Sequence, residues 1–520
     1  MSTYNRVVAA DETASLAPEV RARLATEMAD PASEVGASLS GTFATVVNVA
    51  GYASVESAVA ALTSGSTLYF PPGAHYGNIL LNSLDNISII GDGATLDDVD
   101  GTRPVVRLNG CTNVTIRGLT VTNSSATVRD SVNHGFRLDS CTGVLMDAVK
   151  VTGAEAAGIL FSGGQGVHVS RCVITNTLAD GIHFTDGVTN FRATGNSVYL
   201  SGDDGIAVVS YATSGLCADF VISNNTVING KSRGIAVVGG DRGTISDNLT
   251  RSTRNSGIYI AQETAYPTYG CDSILVSDNQ VHDANTYADP TISMAGIHVT
   301  GNDVASPVIR IRVRGNTVIG SRWRGLTASG TAAAISDIAF ENNFMQTTLT
   351  AEGAHFSNVT GLTVIGNSIV DAYHYGIWVD ETCLGSIRVC DNVILRPNRV
   401  LVAYIDAMNI RGPGDFIVTG NHFLGAASDF QNAIEAVSVT GSLQAKDNIG
   451  VGSFVWPSTT IAPVLEYQRT TSGSAAPSGG AWARGDICHN TAPSASGNVG
   501  WVCVTAGTPG TWKAFGTIAA

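Results

Sequence analysis

Asp180-Gly181-Ile182-His183-Phe184 is followed one repeat later by Gly202-Asp203-Asp204-Gly205-Ile206-Ala207-Val208. In each, a carboxylate precedes a Gly-Ile step, and apolar residues then occupy every second position. That period of two marks a strand with one buried face. The step recurs at Gly135-Phe136, Gly158-Ile159, Gly234-Ile235, Gly257-Ile258, Gly296-Ile297, Gly325-Leu326 and Gly376-Ile377, mostly 23 to 29 residues apart. A second series sets Asn before a short strand, at Asn196, Asn225, Asn248, Asn279, Asn316, Asn343, Asn367, Asn392 and Asn421. Stacked Asn side chains can hydrogen-bond from one repeat to the next. Short strands with three turns per repeat, and no leucine-rich pattern, predict a right-handed parallel β-helix over residues 43–450. Its coils lie about 4.8 Å apart.

The chain has 520 residues, too many for one compact core, which suits an elongated repeat fold. Its 58 glycines and few charges are a turn-rich, all-β composition. The formal net charge of -14 argues against a nucleic-acid partner. No charged-then-apolar leader opens the sequence, so no signal peptide is expected. No apolar run approaches the roughly 20 residues of a membrane-crossing helix, so no membrane insertion is expected. The nine cysteines lack metal-ligand spacing. No metal or other cofactor is expected. Cys111, Cys141 and Cys172 recur at the repeat period, as a buried column of free thiols would.

Residues 1–42 form a separate segment, with Leu16, Val20, Leu24 and Met28 at helical spacing and Asp30-Pro31 as the stop. Its stripe is too small to fold alone. Ser54 to Leu62 reads as a short amphipathic helix that caps the open end of the solenoid, whose bare edge would otherwise recruit other strands. Residues 451–480 read as a linker, with a Thr/Ser/Ala/Gly/Pro run from Thr471 to Gly480, and 481–520 as a small β module. In that module Cys488 and Cys503 are close enough in sequence to pair, although spacing alone leaves this open.

Aligning the repeats on their Gly-Ile step places His134, Asp180, Asp204 and Arg233 just before the glycine, and Arg137, His183, Tyr259, His298 and Trp378 two after it, facing outward. One face of the solenoid thus carries carboxylates, imidazoles, guanidiniums and aromatics, the set that lines a sugar-binding groove. Asp180, Asp203 and Asp204 are the candidate catalytic residues. His134, Arg137, His183, Arg233, Arg254, Tyr259, His298 and Trp378 are the candidate substrate-binding residues. Glycoside hydrolysis needs two carboxyl groups across the bond, at about 5–5.5 Å or about 6.5–9.5 Å by mechanism. Clustered carboxylates cannot all ionise freely, so one is pushed toward the acid role. The plainer reading is that Asp before Gly only braces a turn. Glu263, Tyr266 and Tyr269 fall in an insertion that can line the groove. A second cluster, Tyr373, His374, Tyr375, Trp378, Asp380 and Glu381, would suit proton abstraction beside a carboxylate, or packing between subunits.

Three stretches carry resemblances. Ala29-Asp30-Pro31-Ala32-Ser33-Glu34-Val35-Gly36-Ala37-Ser38-Leu39-Ser40 resembles the N-terminal segment of minor tail and tailspike proteins of phages that infect actinobacteria. Leu68-Tyr69-Phe70-Pro71-Pro72-Gly73 resembles the first coil of pectate-lyase-like β-helices, phage tailspikes included. The pattern from Trp482-Ala483-Arg484-Gly485-Asp486 to Gly507-Thr508-Pro509-Gly510-Thr511-Trp512 resembles a C-terminal module of tailspikes. These resemblances imply a homotrimeric receptor-binding protein of a virion tail, joined to a tail or baseplate protein through its N-terminus. It would bind and cleave a bacterial surface polysaccharide. Asp180-Gly181 with Gly202-Asp203-Asp204 is similar to the catalytic skeleton of polygalacturonase-type glycoside hydrolases. That resemblance implies Asp203 as general acid and Asp180 with Asp204 as bases. The chain departs from the family at Ser232-Arg233-Gly234, where the family has Gly-His-Gly. The other readings are a non-catalytic glycan-binding adhesin, a bacterial pectinase-like glycosidase and a polysaccharide lyase.

Overall fold

The computed structural model describes residues 45–123, 126–287, 294–401, 405–426, 428–455, 470–480 and 482–520. The segment read as an N-terminal helix lies outside them. From Val46 to Val455 the chain winds as a right-handed parallel β-helix, the all-β solenoid that the repeats predict. Its three sheets hold 16, 15 and 15 strands, and every strand pairs in parallel with its equivalent one coil away. Among the described residues no helix is long and apolar enough to cross a membrane.

The sheet built on the Gly-Ile steps contains Phe136–Asp139, Ile159–Ser162, Ile182–Thr185, Ile206–Val209, Ile235–Val238, Ile258–Ala261, Ala295–Gly301 and Arg324–Gly330 among its strands. The register is unbroken there. Arg137 pairs with Leu160, Leu160 with His183, His183 with Ala207, Ala207 with Ala236, Ala236 with Tyr259, and Tyr259 with His298. The row continues through Thr327 and His355 to Trp378. Residues on either side of this row, such as Ile182, Phe184, Ile206 and Val208, are fully buried. Beneath the coils that carry Asp180 and Asp204, Phe161, Phe184, Phe191 and Phe220 stack with ring centroids 4.3 to 5.3 Å apart. Such aromatic pairs add about 0.5–1.5 kcal/mol each beyond their burial, so the floor under the site is firm.

The Asn series forms a buried ladder. Asn196 Nδ2 donates to Asn225 Oδ1 at 2.9 Å, and the same bond repeats from Asn225 to Asn248 and on to Asn421 and Asn448. Each rung also takes a backbone N–H and gives a second amide proton to a backbone carbonyl, which fixes coil height and register.

The glycines of the Gly-Ile steps are needed for close approach. A Cβ on Gly205 would fall 2.2 Å from Val227 Cγ1 and 2.6 Å from the Gly234 carbonyl oxygen. Overpacking of this kind costs about 1–3 kcal/mol. Gly205→Ala is therefore expected to lower the thermal midpoint measurably, read by circular dichroism, and to weaken the site it adjoins. A wild-type midpoint would show that the coil has slack.

The terminal cap is the helix Val55–Ala60, with Ser54 and Ser57 forming a reciprocal capping box. At the other end a four-stranded sheet comprises Thr470–Gly473, Ile487–Asn490, Asn498–Thr505 and Thr511–Thr517. Its first strand comes from the stretch read as linker. Cys488 and Cys503 are buried free thiols there, not a disulfide. The Trp482 and Trp512 rings meet edge to face at 5.0 Å.

Candidate active site

Two adjacent coils bring Asp180, Asp203 and Asp204 together, with one oxygen of each within 4.8 Å of the others. Gly202 makes this approach possible, because a Cβ there would meet the Leu178 carbonyl carbon and oxygen at 2.3 Å. The Gly202 and Asp203 amides both donate to the Ala179 carbonyl, at 3.0 and 3.1 Å, and pin the turn beside Asp180.

Each carboxylate has a different environment. Asp180 Oδ2 lies 2.6 Å from His183 Nδ1, and Asp180 Oδ1 accepts the Asp204 N–H at 3.0 Å. Burial opposes its charge, yet the neighbouring imidazole wins and holds Asp180 below the usual carboxylate range. Reciprocally, burial disfavours the His183 cation but Asp180 holds its pKa above the ordinary value. Asp204 accepts the Arg233 N–H at 2.8 Å and Arg233 Nη1 at 3.3 Å. Burial, then the charges of Asp180 and Asp203, nonetheless push Asp204 up to about 6 against the pull of Arg233. Asp203 Oδ2 accepts from Arg129 Nη2 at 2.7 Å. Its side chain is 30% exposed, against 6% for Asp204, so it faces the mouth.

The three aspartates floor a cavity of about 530 Å³, walled by Arg129, His183, Tyr211, Arg233, Glu263, Tyr266 and Thr268 among others. Two insertions build one wall. Tyr211 bridges Thr268, and the Ala212 N–H donates to the Pro267 carbonyl at 2.9 Å. Glu263 contacts Arg233 Nη2, and the guanidinium lies 4.5 Å over the Tyr259 ring. The carboxylate trio has the spacing to share a cation, but Arg129, Arg233 and His183 already supply positive charge to it.

The other sequence-predicted residues are placed as follows. His183 and Arg233 line the cavity. Tyr259 backs Arg233, and His298 stands behind Tyr259 with ring centroids 5.4 Å apart. His298 is pushed down to about 3 by burial and then by Arg324 and Arg233, so it is neutral. His134 and Arg137 lie on the same sheet but two coils before Asp180. His134 accepts the Ala157 N–H, and burial lowers it to about 4; Arg137 pairs with Asp139. Trp378 lies seven coils beyond His183 on the same row. Its ring meets His355 at 4.5 Å and Tyr375 at 5.6 Å, in the second cluster. Arg254 is not brought to the cavity: its guanidinium lies 3.9 Å over Tyr287. Arg129 and Tyr211 were not singled out from the sequence. Arg129 reaches Asp203 across 74 residues, and Tyr211 sits in an insertion outside the repeat register.

A family described as right-handed beta helix region matches residues 104–272. No curated protein matches the sequence. Among solved structures, the catalytic domain of a GH87 alpha-1,3-glucanase, an Asp→Ala variant in complex with tetrasaccharides, is similar at TM-score 0.54 and 18% identity, covering 73% of this chain and 69% of that one. A variant of that domain with nigerose gives TM-score 0.55 and 16% identity, covering 72% and 68%. At such identity the likeness is one of fold. A family 28 exopolygalacturonase of Yersinia enterocolitica aligns at TM-score 0.46 and 13% identity over 63% of this chain and 78% of that one, too distant to carry an argument.

Proposed function

We propose that this chain is a glycoside hydrolase that cleaves a polysaccharide held over Asp180, Asp203 and Asp204. The observation that carries the reading is the division of one tight carboxylate trio into three environments, at the floor of a cavity large enough for sugar rings. Asp203, the carboxyl group open to the mouth, gives its proton to the glycosidic oxygen as the bond from the anomeric carbon breaks. A water over Asp180 and Asp204 attacks that carbon and passes one proton to Asp204; the nearest oxygens of the trio, within 4.8 Å, lie closer than the about 6.5–9.5 Å of most enzymes in which water attacks directly. Asp180 is held charged by His183. Asp204, near 6, and not Asp203, is the carboxyl group that crowding pushes toward protonation; above that pH it is ionised and serves as the base, while Asp203 takes the acid role from its place at the mouth. The glucanase structures that resemble this fold include Asp→Ala variants at an adjacent pair and at a third aspartate 23 positions before it. Asp180, Asp203 and Asp204 share that spacing, which supports the assignment. The terminal stretches that resemble phage tailspikes support an enzyme borne on a virion tail as a homotrimer, with a bacterial surface polysaccharide as substrate.

The test is reducing-end release from purified actinobacterial surface polysaccharides, with ultraviolet absorbance read alongside. Release without absorbance is expected. Release with an absorbing, unsaturated product would replace hydrolysis by elimination, and binding without release would leave an adhesin.

The raised Asp204 gives the reaction a pH dependence. A base must be ionised, so kcat/KM is expected to fall as pH drops through about 6. Arg233 favours the charged form of Asp204, so Arg233→Gln should move this limb to higher pH. A limb that stays in place in the variant would remove Asp204 as the titrating base.

A further inference from the structure

Among the described residues, every cationic side chain that lines the cavity is already engaged by a carboxylate of the protein. Arg129 meets Asp203 at 2.7 Å, and His183 meets Asp180 at 2.6 Å. Arg233 is used on three sides, by Asp204 on Nη1, by Glu263 on Nη2, and by the Tyr259 ring across its face. Four carboxylates thus stand against two guanidiniums and one imidazole. Glu263 is the member of this set that the chemistry of cleavage does not use. It is nonetheless held firmly: its own N–H donates to Thr268 Oγ1 at 3.0 Å, and its carbonyl accepts from Gln262 Nε2 at 3.0 Å and from the Thr268 N–H at 3.2 Å. The same insertion carries Tyr266, 68% exposed, which lines the cavity together with Tyr211.

We propose that Glu263 sets the charge of the sugar this cavity accepts, selecting a neutral glycan and rejecting a uronate. The inference rests on the reading of the cavity as a glycan site. A uronate would bring a fifth carboxylate into a cavity whose guanidiniums, among the described residues, are each already paired with a carboxylate, and like charges at short range are costly there. A neutral sugar brings hydroxyl donors that suit the carboxylates and an apolar ring face that suits Tyr211 and Tyr266. Glu263 does not merely brace Arg233. Bracing would affect all ligands alike, whereas charge cancellation acts on the ratio between neutral and acidic ones.

The test is equilibrium binding of an α-1,3-linked glucotetraose and of tetragalacturonate at low ionic strength, to the native chain and to Glu263→Gln, which keeps the shape and removes the charge. Asp247→Asn, an exposed position outside the cavity, controls for the change in total charge. Native protein is expected to prefer the neutral tetrasaccharide by at least about tenfold. Glu263→Gln is expected to tighten tetragalacturonate by about tenfold, with the neutral ligand within about threefold, and Asp247→Asn to move neither; about tenfold is about 1.4 kcal/mol. Equal binding of both ligands by the native chain, an unchanged ratio in Glu263→Gln, or no binding of either ligand to either protein overturns the proposal. Reducing ends counted in the same samples separate the two claims. Selective binding without release removes the hydrolase and leaves the selectivity, whereas release from tetragalacturonate does the reverse.

Discussion

Asp203→Asn is expected to fold, to bind glycan, and to lose turnover by about a thousandfold. General acid catalysis contributes about 10²–10⁴-fold, and asparagine cannot supply the proton. The turn that carries residue 203 is held by backbone bonds to Ala179 and by Ser201 Oγ on the residue 203 carbonyl at 3.1 Å, none of which the change touches. The ion pair it gives up is with Arg129, whose side chain is half exposed. Such pairs are worth about 0–1 kcal/mol, so the thermal midpoint should barely move. The same substitution at Asp180 would disturb more, because Asp180 holds both His183 and the Asp204 amide. Initial rates of reducing-end release, a melting curve and a binding isotherm on one preparation check the three parts. Turnover within about tenfold of wild type would take Asp203 out of the mechanism.

Asn248→Ala is expected to be a severe truncation of the scaffold, at about 3–5 kcal/mol. Asn248 is almost wholly buried. Its Nδ2 donates to Asn279 Oδ1 and to the Ile222 carbonyl, each at 2.9 Å. Its Oδ1 receives the Asn225 N–H and Asn225 Nδ2, each at 2.9 Å. Alanine strands the Asn225 N–H and one Asn225 Nδ2 hydrogen, while Asn279 Oδ1 keeps the residue 248 N–H at 3.0 Å and Asn225 Nδ2 keeps the Ala193 carbonyl at 2.8 Å; each buried group left unsatisfied costs about 1–3 kcal/mol. A solenoid is stabilised by its nearest-neighbour interfaces, so the damage should open the coils on either side of Asn248 first. Hydrogen exchange of the strands Thr226–Ile228, Leu249–Arg251 and Gln280–His282 should rise before that of the distant coils. A loss under about 1 kcal/mol would mean that water replaces the amide.

What could be read in the sequence followed from repetition. The Gly-Ile step fixed which residues share a row, so Arg137, His183, Tyr259, His298 and Trp378 fall on one line of the sheet. The Asn spacing gave the ladder, which runs one rung further, to Asn448. His355 belongs to the same row but is not legible in the sequence, because its coil reads Gly353-Ala354 and lacks the large apolar residue that follows glycine in the other steps. Residues outside the repeat were the hard ones. Arg129 comes from the loop between coils, and Tyr211 from an insertion whose position depends on pairing with another insertion, neither of which periodicity encodes. Arg254 shows the opposite failure. It lies close to the Gly257 step in sequence, but its side chain stacks on Tyr287 rather than entering the cavity. Thr470–Gly473 read as linker because Thr, Ser and Gly mark turns, yet tertiary pairing with Ile487–Asn490 makes it a strand.

The central claim, that the aspartate trio drives attack by water, is tested most directly by cleaving the polysaccharide in water enriched in oxygen-18 and reading the fragments promptly by mass spectrometry. Hydrolysis predicts one heavy oxygen at each new reducing end, saturated fragments, and no fragments from Asp203→Asn. Unlabelled, unsaturated ends, or labelled ends released equally by Asp203→Asn, would contradict it.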